Sequence, residues 1–232
     1  TPPHPLRGPA HVFVTLEGID RSGKTTQAAL LAEALGPRAL LVREPGGTPA
    51  GERIRSLLKD ADLELDPAAE LLLFAAARAE LCRRVIEPAL AEGRDVVCDR
   101  FIDSTAAYQG VARGLGLETV ETLNEFAIGS CVPDLTILLR VDPQEALRRG
   151  QQRLAAGAED GADRFESEGA GFQRTVAEAY DELAKRHPER IRVVEAAGTL
   201  DDVHTAVLAL VRAGAAGPGS TRRSTAGTPR TR

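Results

Sequence analysis

The 232-residue chain has no methionine and no tryptophan, only three cysteines and a single asparagine. Cys82, Cys98 and Cys131 are widely spaced and form no CxxC pair, which argues against a disulfide framework and a structural zinc site and points to a reducing cytoplasm. Long apolar runs are missing too. Nothing approaches the length that crosses a bilayer, and the N-terminus has no signal-like hydrophobic stretch, so no membrane partner is expected. Nor is there an excess of positive charge. A formal net charge of -5 argues against a general nucleic-acid surface, although local arginines can still line an anion pocket. Methionine is absent even from position 1, so the expectation is a missing initiator or a start within a longer polypeptide.

Against these absences stands one segment, Gly18-Ile19-Asp20-Arg21-Ser22-Gly23-Lys24-Thr25, continuing into Thr26. It follows the apolar Val12-Phe13-Val14-Thr15-Leu16 and precedes a helix-forming run, the order expected of a phosphate-binding loop in its proper context. The glycines let backbone N–H groups turn inward around phosphate oxygens, and the new helix points its unpaired N–H groups at the same anion. Lys24 is expected to reach the β and γ phosphates of a nucleoside triphosphate, and Thr25 to place its hydroxyl on Mg2+. Common GTP switches read guanine with Asn-Lys-x-Asp, and the only asparagine, Asn124, is followed by Glu125.

Short, nearly continuous apolar runs alternate with longer helical patterns. Strands are expected at 11–17, 39–43, 95–98, 135–141 and 191–194, and helices at 25–35, 49–58, 67–92, 104–111, 118–128, 143–154, 171–186 and 200–212. The expected fold is a three-layer α/β domain over 11–213, with a five-stranded parallel sheet covered by helices. Residues 1–10 read as a flexible N-terminal segment and 214–232 as a disordered basic tail. Glycine and charge interrupt the helical pattern over 155–169, which suits a movable lid that excludes water from phosphoryl transfer.

Asp99 closes an expected strand and is the candidate to orient magnesium together with Thr25. Arg100 follows it and suits an acceptor phosphate, since a guanidinium matches oxygen pairs; Arg55 is a second candidate. Arg21 lies inside the loop, where its charge can offset that developing between donor and acceptor. Asp20 can accept from a sugar hydroxyl and orient Arg21. General-base work by Asp20 is the weaker reading, because a phosphate acceptor is already anionic.

Taken in order, Glu17 to Gln27, Arg43-Glu44-Pro45-Gly46-Gly47-Thr48, Leu73-Phe74-Ala75-Ala76-Ala77-Arg78, Asp99-Arg100-Phe101 with Ser104 and Tyr108-Gln109-Gly110, and Asp163-Arg164-Phe165-Glu166 resemble thymidylate kinase. The resemblance implies the P-loop kinase fold, transfer of phosphate from ATP to dTMP in pyrimidine deoxynucleotide synthesis, and a homodimer built from helices such as 67–92. It implies Phe74 as the platform for thymine, Arg78 as donor to a pyrimidine carbonyl, and Ser104, Thr105 and Gln109 near the base. It places Tyr108 by the sugar, Asp20 by the 3′-hydroxyl, Arg100 and Arg55 at the monophosphate, and residues 196–200 near adenine. The usual bacterial pattern has a catalytic arginine in the lid, but Ala158-Glu159-Asp160-Gly161-Ala162 contains none, which favours Arg21. Arg149, Arg153 and Arg164 remain for the donor phosphate or adenine. Another pyrimidine monophosphate kinase and a nucleotide-dependent switch stay open as alternatives.

Overall fold

The structure is a computed structural model that describes residues 11–155, 164–165 and 168–215, apart from the side chains of residues 153, 154 and 215. Five parallel strands, β1 (Phe13–Glu17), β2 (Leu40–Arg43), β3 (Val96–Asp99), β4 (Leu135–Arg140) and β5 (Ile191–Glu195), form one sheet in the order β2-β3-β1-β4-β5. Every expected strand is present, with its ends shifted by a residue or two. β1 is buried throughout, as a central parallel strand covered on both faces must be. Its side chains alternate: Val14 and Leu16 enter a core with Leu31, Ile137, Leu139, Val176 and Val207, whereas Phe13 enters a second with Leu81, Ile86, Val96 and Phe101. The three cysteines are buried free thiols.

Helices cover both faces: α1 (Lys24–Leu35), α2 (Pro49–Lys59), α3 (Pro67–Leu81), α4 (Glu87–Ala91), α5 (Ile102–Thr105), α6 (Leu117–Ile128), α7 (Pro143–Ala155), α8 (Ala170–Arg186) and α9 (Leu200–Ala215). Their starts follow local chemistry. Thr48 accepts the Gly51 N–H at 2.9 Å and Asp66 accepts the Ala68 N–H at 2.8 Å, each followed by proline at the first helical position. Thr199 and Asp202 form a reciprocal capping pair at α9.

Two expectations of continuous helix need correction. The helix expected over 67–92 is broken by a π turn, Cys82–Ile86, between α3 and α4. Pro88 lacks an N–H and its ring crowds the carbonyl of Arg84, and the added residue in the preceding turn accommodates it. The helix expected over 104–111 is α5 followed by a second π turn, Ala106–Ala112, which carries Tyr108 and Gln109. At the C-terminus Gly214 and Ala215 continue α9 instead of opening the tail. Residues 1–10, 216–232 and most of the proposed lid, 156–163 and 166–167, lie outside the described residues. Among those described, no helix is long and apolar enough to cross a membrane.

Candidate active site

Strand register assembles the first half of the site. β1 pairs with β3 so that Leu16 stands opposite Asp99, which brings the acid at the end of one strand beside the loop leaving the other. Thr25 Oγ1 then donates to Asp99 Oδ2 at 2.5 Å. Gly18 has φ 141°, and a Cβ there would lie 2.6 Å from the Leu139 carbonyl oxygen, so the tight exit from β1 admits only glycine. No side chain caps α1, whose first-turn N–H groups are left to meet an anion. Lys24 is folded into the loop, donating to the Ile19 carbonyl at 2.6 Å. Burial, and then the like charge of Arg100, bring its ammonium down to about 8.

Arg100 occupies the centre. It has φ 68°, and its neighbours over-determine that left-handed backbone: its N–H donates to Leu16 at 3.0 Å, its carbonyl accepts from Cys98 Sγ at 3.0 Å, and the next N–H, of Phe101, donates to Glu17 Oε1 at 2.7 Å. Its guanidinium pairs with Asp20, donates to Ser104 Oγ at 3.1 Å, and lies 5.2 Å from the Tyr108 ring centroid. Tyr108 Oη donates to Asp20 Oδ2 at 3.1 Å. Burial pushes the Asp20 carboxyl up, but Arg100 and Lys24, with hydrogen bonds from Gln173 and Tyr108, outweigh it and hold the group below the usual range.

Asp20, Lys24, Thr25, Asp99, Arg100, Ser104 and Tyr108 line a cleft of about 530 Å³, within the range of small-molecule sites, together with Arg21, Thr26, Arg55, Phe74, Arg78, Thr105, Gln109 and Phe165. Phe74 faces this cleft and meets Phe165 edge to face, with centroids 5.8 Å apart. Arg78 is more committed than expected. It is 1% exposed and donates to Glu44 at 2.8 Å, Asn124 at 2.6 Å, Thr105 at 2.8 Å and the Phe101 carbonyl at 3.1 Å, so only part of its fork is left for a base. Gln109 donates to Glu70 Oε1 at 2.7 Å, which fixes its carboxamide, and Arg55 donates to the Pro45 carbonyl at 2.8 Å.

The remaining basic candidates divide. Arg149 donates to the Ala196 carbonyl at 2.6 Å, at the segment expected near adenine. Arg164 is anchored on α2 and α3, donating to the Leu58 carbonyl at 3.1 Å and pairing with Glu70 at 2.6 Å. The side chain of Arg153 lies outside the described residues. A hydroxyl at Thr25 and a carboxylate at Asp99 are hard oxygen donors of the kind magnesium accepts while keeping water and phosphate in its shell. No group of three or more His, Cys, Asp or Glu side chains suited to a closed metal cage occurs among the described residues.

Three contributors carried no site expectation. Phe165 completes the aromatic wall; its motif had been noted, but not its role. Gln173, on α8, donates to Asp20 Oδ2 at 3.2 Å and has no local pattern that marks it. Glu17 closes an otherwise apolar strand, a signal of a buried carboxylate, and it accepts from Phe101, from Ser104 at 2.6 Å and from Tyr180 at 2.9 Å. Burial, then Asp103, raise its pKa to about 7.

Comparison with known proteins identifies the family. The sequence profile of the family described as thymidylate kinase matches residues 16–207. The thymidylate kinase of Syntrophotalea carbinolica is 51% identical over 195 residues, covering 82% of this chain and 90% of that protein. That of Desulfosudis oleivorans is 49% identical over 197 residues, covering 83% and 92%. The crystal structure of thymidylate kinase from Ehrlichia chaffeensis superposes with a TM-score of 0.68 at 36% identity, covering 88% of this chain and 99% of that one. A match of this extent, carried by a chain whose phosphate loop and second wall close on one cleft, places the protein in the thymidylate kinase family.

Proposed function

We propose that the cleft transfers the γ-phosphoryl group of ATP to dTMP, giving ADP and dTDP, the reaction of the family to which the chain belongs. One observation carries this reading: the uncapped loop of residues 18–25 and the wall formed by Phe74, Arg100 and Tyr108 face each other across a single cleft. A phosphate oxygen of dTMP attacks the γ phosphorus, the bridging β–γ P–O bond breaks, and its electron pair leaves with ADP. The attacking oxygen is already anionic, so the protein supplies alignment and charge, not proton removal.

Lys24 and the loop N–H groups hold the β and γ phosphates. Protonated Lys24 is the binding form, and an anion beside it restores the charge that burial disfavours. Arg21 neutralises charge on the transferring group, while Arg100, with Arg55, aligns the acceptor phosphate. Asp20 turns to the 3′-hydroxyl, Tyr108 limits space beside the sugar, and Phe74 stacks the base, whose edge faces Arg78, Ser104, Thr105 and Gln109. Thr25 and Asp99 would hold magnesium, which lowers the negative charge of the donor phosphates when bound. Arg149 is assigned to the adenine end of ATP.

The chain is further proposed to work as a homodimer through α3 and α6, supported by Leu72 and Phe126, which are 58% and 78% exposed on two mutually packed helices. Three buried free thiols suit the reducing cytoplasm.

The test is phosphorylation of dTMP, dUMP, UMP, CMP, AMP and GMP in parallel with ATP and magnesium. Turnover is expected with dTMP above all others. Efficient use of another monophosphate with dTMP untouched would overturn the substrate, and ATP hydrolysis indifferent to every acceptor would favour a nucleotide switch.

A further inference from the structure

Gly150 lies in the interior of α7, where glycine is less favourable than alanine by on the order of 1 kcal/mol. The residue is buried. What occupies the space beside it is Arg21: a Cβ built on Gly150 would stand 2.5 Å from Arg21 Cδ and 2.6 Å from Cζ, and would overlap Nε as well. These atoms are the root of the guanidinium, so an added methyl would displace the whole charged head by about 1 Å to reach ordinary contact. α7 is itself fixed, with Ala146 in the core and Arg149 bonded to the Ala196 carbonyl at 2.6 Å. At its other end Arg21 leaves the loop with φ 65°, so the start of the side chain is set by the loop and its head is set against α7.

We infer that Gly150 is a positioning residue for phosphoryl transfer: its missing side chain lets the Arg21 guanidinium lie against α7 and so fixes where that charge stands in the cleft. This rests on the reading of Arg21 as the group that neutralises transferring charge. Misplacement by about 1 Å of a group that acts in the transition state can lower turnover on the order of 100-fold without weakening ground-state binding. Helix propensity and catalysis therefore pull this position in opposite directions.

The test compares Gly150→Ala, Arg21→Ala and the double variant by steady-state kinetics and thermal melting of the intact protein. In Gly150→Ala, kcat should fall by about 10- to 100-fold, KM for ATP and dTMP should stay within about twofold, and the melting temperature should hold or rise. In the Arg21→Ala background the same substitution should change kcat no further. Full kcat in Gly150→Ala with kcat lost in Arg21→Ala would overturn the role of Gly150 alone. An equal loss in both backgrounds, or a lowered melting temperature in both, would make Gly150 a packing residue and overturn it also. Wild-type turnover in Arg21→Ala would remove the reading of Arg21, and the positioning role with it.

Discussion

Arg100 can hold a left-handed backbone because Glu17 grips the next residue. The same carboxylate binds Ser104, which in turn accepts from Arg100, so one buried acid supports both ends of the arginine. Keeping that acid in a dry site has a pH signature. Its folded pKa, about 7, stands above the ordinary 4.5, so its contribution to stability is fully present below about pH 4.5 and is lost as pH rises through about 7. Glu17→Gln removes this titration while its amide oxygen can still accept from Phe101. Denaturation by urea at pH 5 and pH 8 should show wild type losing on the order of 3 kcal/mol more than the variant across that interval. An identical pH dependence in both proteins would show that Glu17 does not titrate there. Legibility varies at this scale. Lys24, Thr25 and Asp99 could be read from the sequence because each is fixed by neighbours in the chain, whereas Gln173 reaches Asp20 across 153 positions and no local pattern records that.

At the scale of elements, α3 works through one buried side chain. Glu70 is fully buried and receives Gln109 at 2.7 Å from the second π turn, Arg113 at 3.4 Å from the cap of that turn, and Arg164 at 2.6 Å from within the 155–169 segment, binding two segments to one helix. Glu70→Ala deprives two cations of this carboxylate and should cost on the order of 3–5 kcal/mol in urea denaturation. Because Gln109 loses its anchor while the phosphate loop is untouched, KM for dTMP should rise more than KM for ATP. A stability change below about 1 kcal/mol, or equal movement of both constants, would contradict this role. The helical period of 67–92 marked α3 correctly but could not show that Pro88 forces a π turn, since the compensation is made upstream in the backbone. Phe74 illustrates a different limit. Within Leu71-Leu72-Leu73-Phe74 it is equally suited to core and cleft, and only the packing of α3 decides which face each residue takes.

For the whole molecule, the strand order β2-β3-β1-β4-β5 explains why a cleft exists at all. β1 and β3 are neighbours in the sheet but far apart in the chain, and their adjacent carboxyl ends bring Gly18 to Thr25 beside Asp99 and Arg100. The alternation of apolar strands and helices was enough to read the layers. The pairing that makes the site was not readable from spacing alone, because parallel strands are joined through crossovers of arbitrary length. Phe126 on α6 and Leu72 on α3 stand in water, an arrangement that the proposed second copy would relieve. Light scattering across a concentration series should therefore give a dimer for the wild type and a monomer for Leu72→Asp/Phe126→Asp. The residues assigned to the phosphates, sugar and base, from Asp20 to Gln109, belong to one chain, so the monomeric variant should still turn over dTMP. A wild type that stays monomeric at every concentration would remove the dimer. A variant that is monomeric and folded yet inactive would show instead that the interface braces α3, and with it the cleft face that carries Phe74 and Arg78.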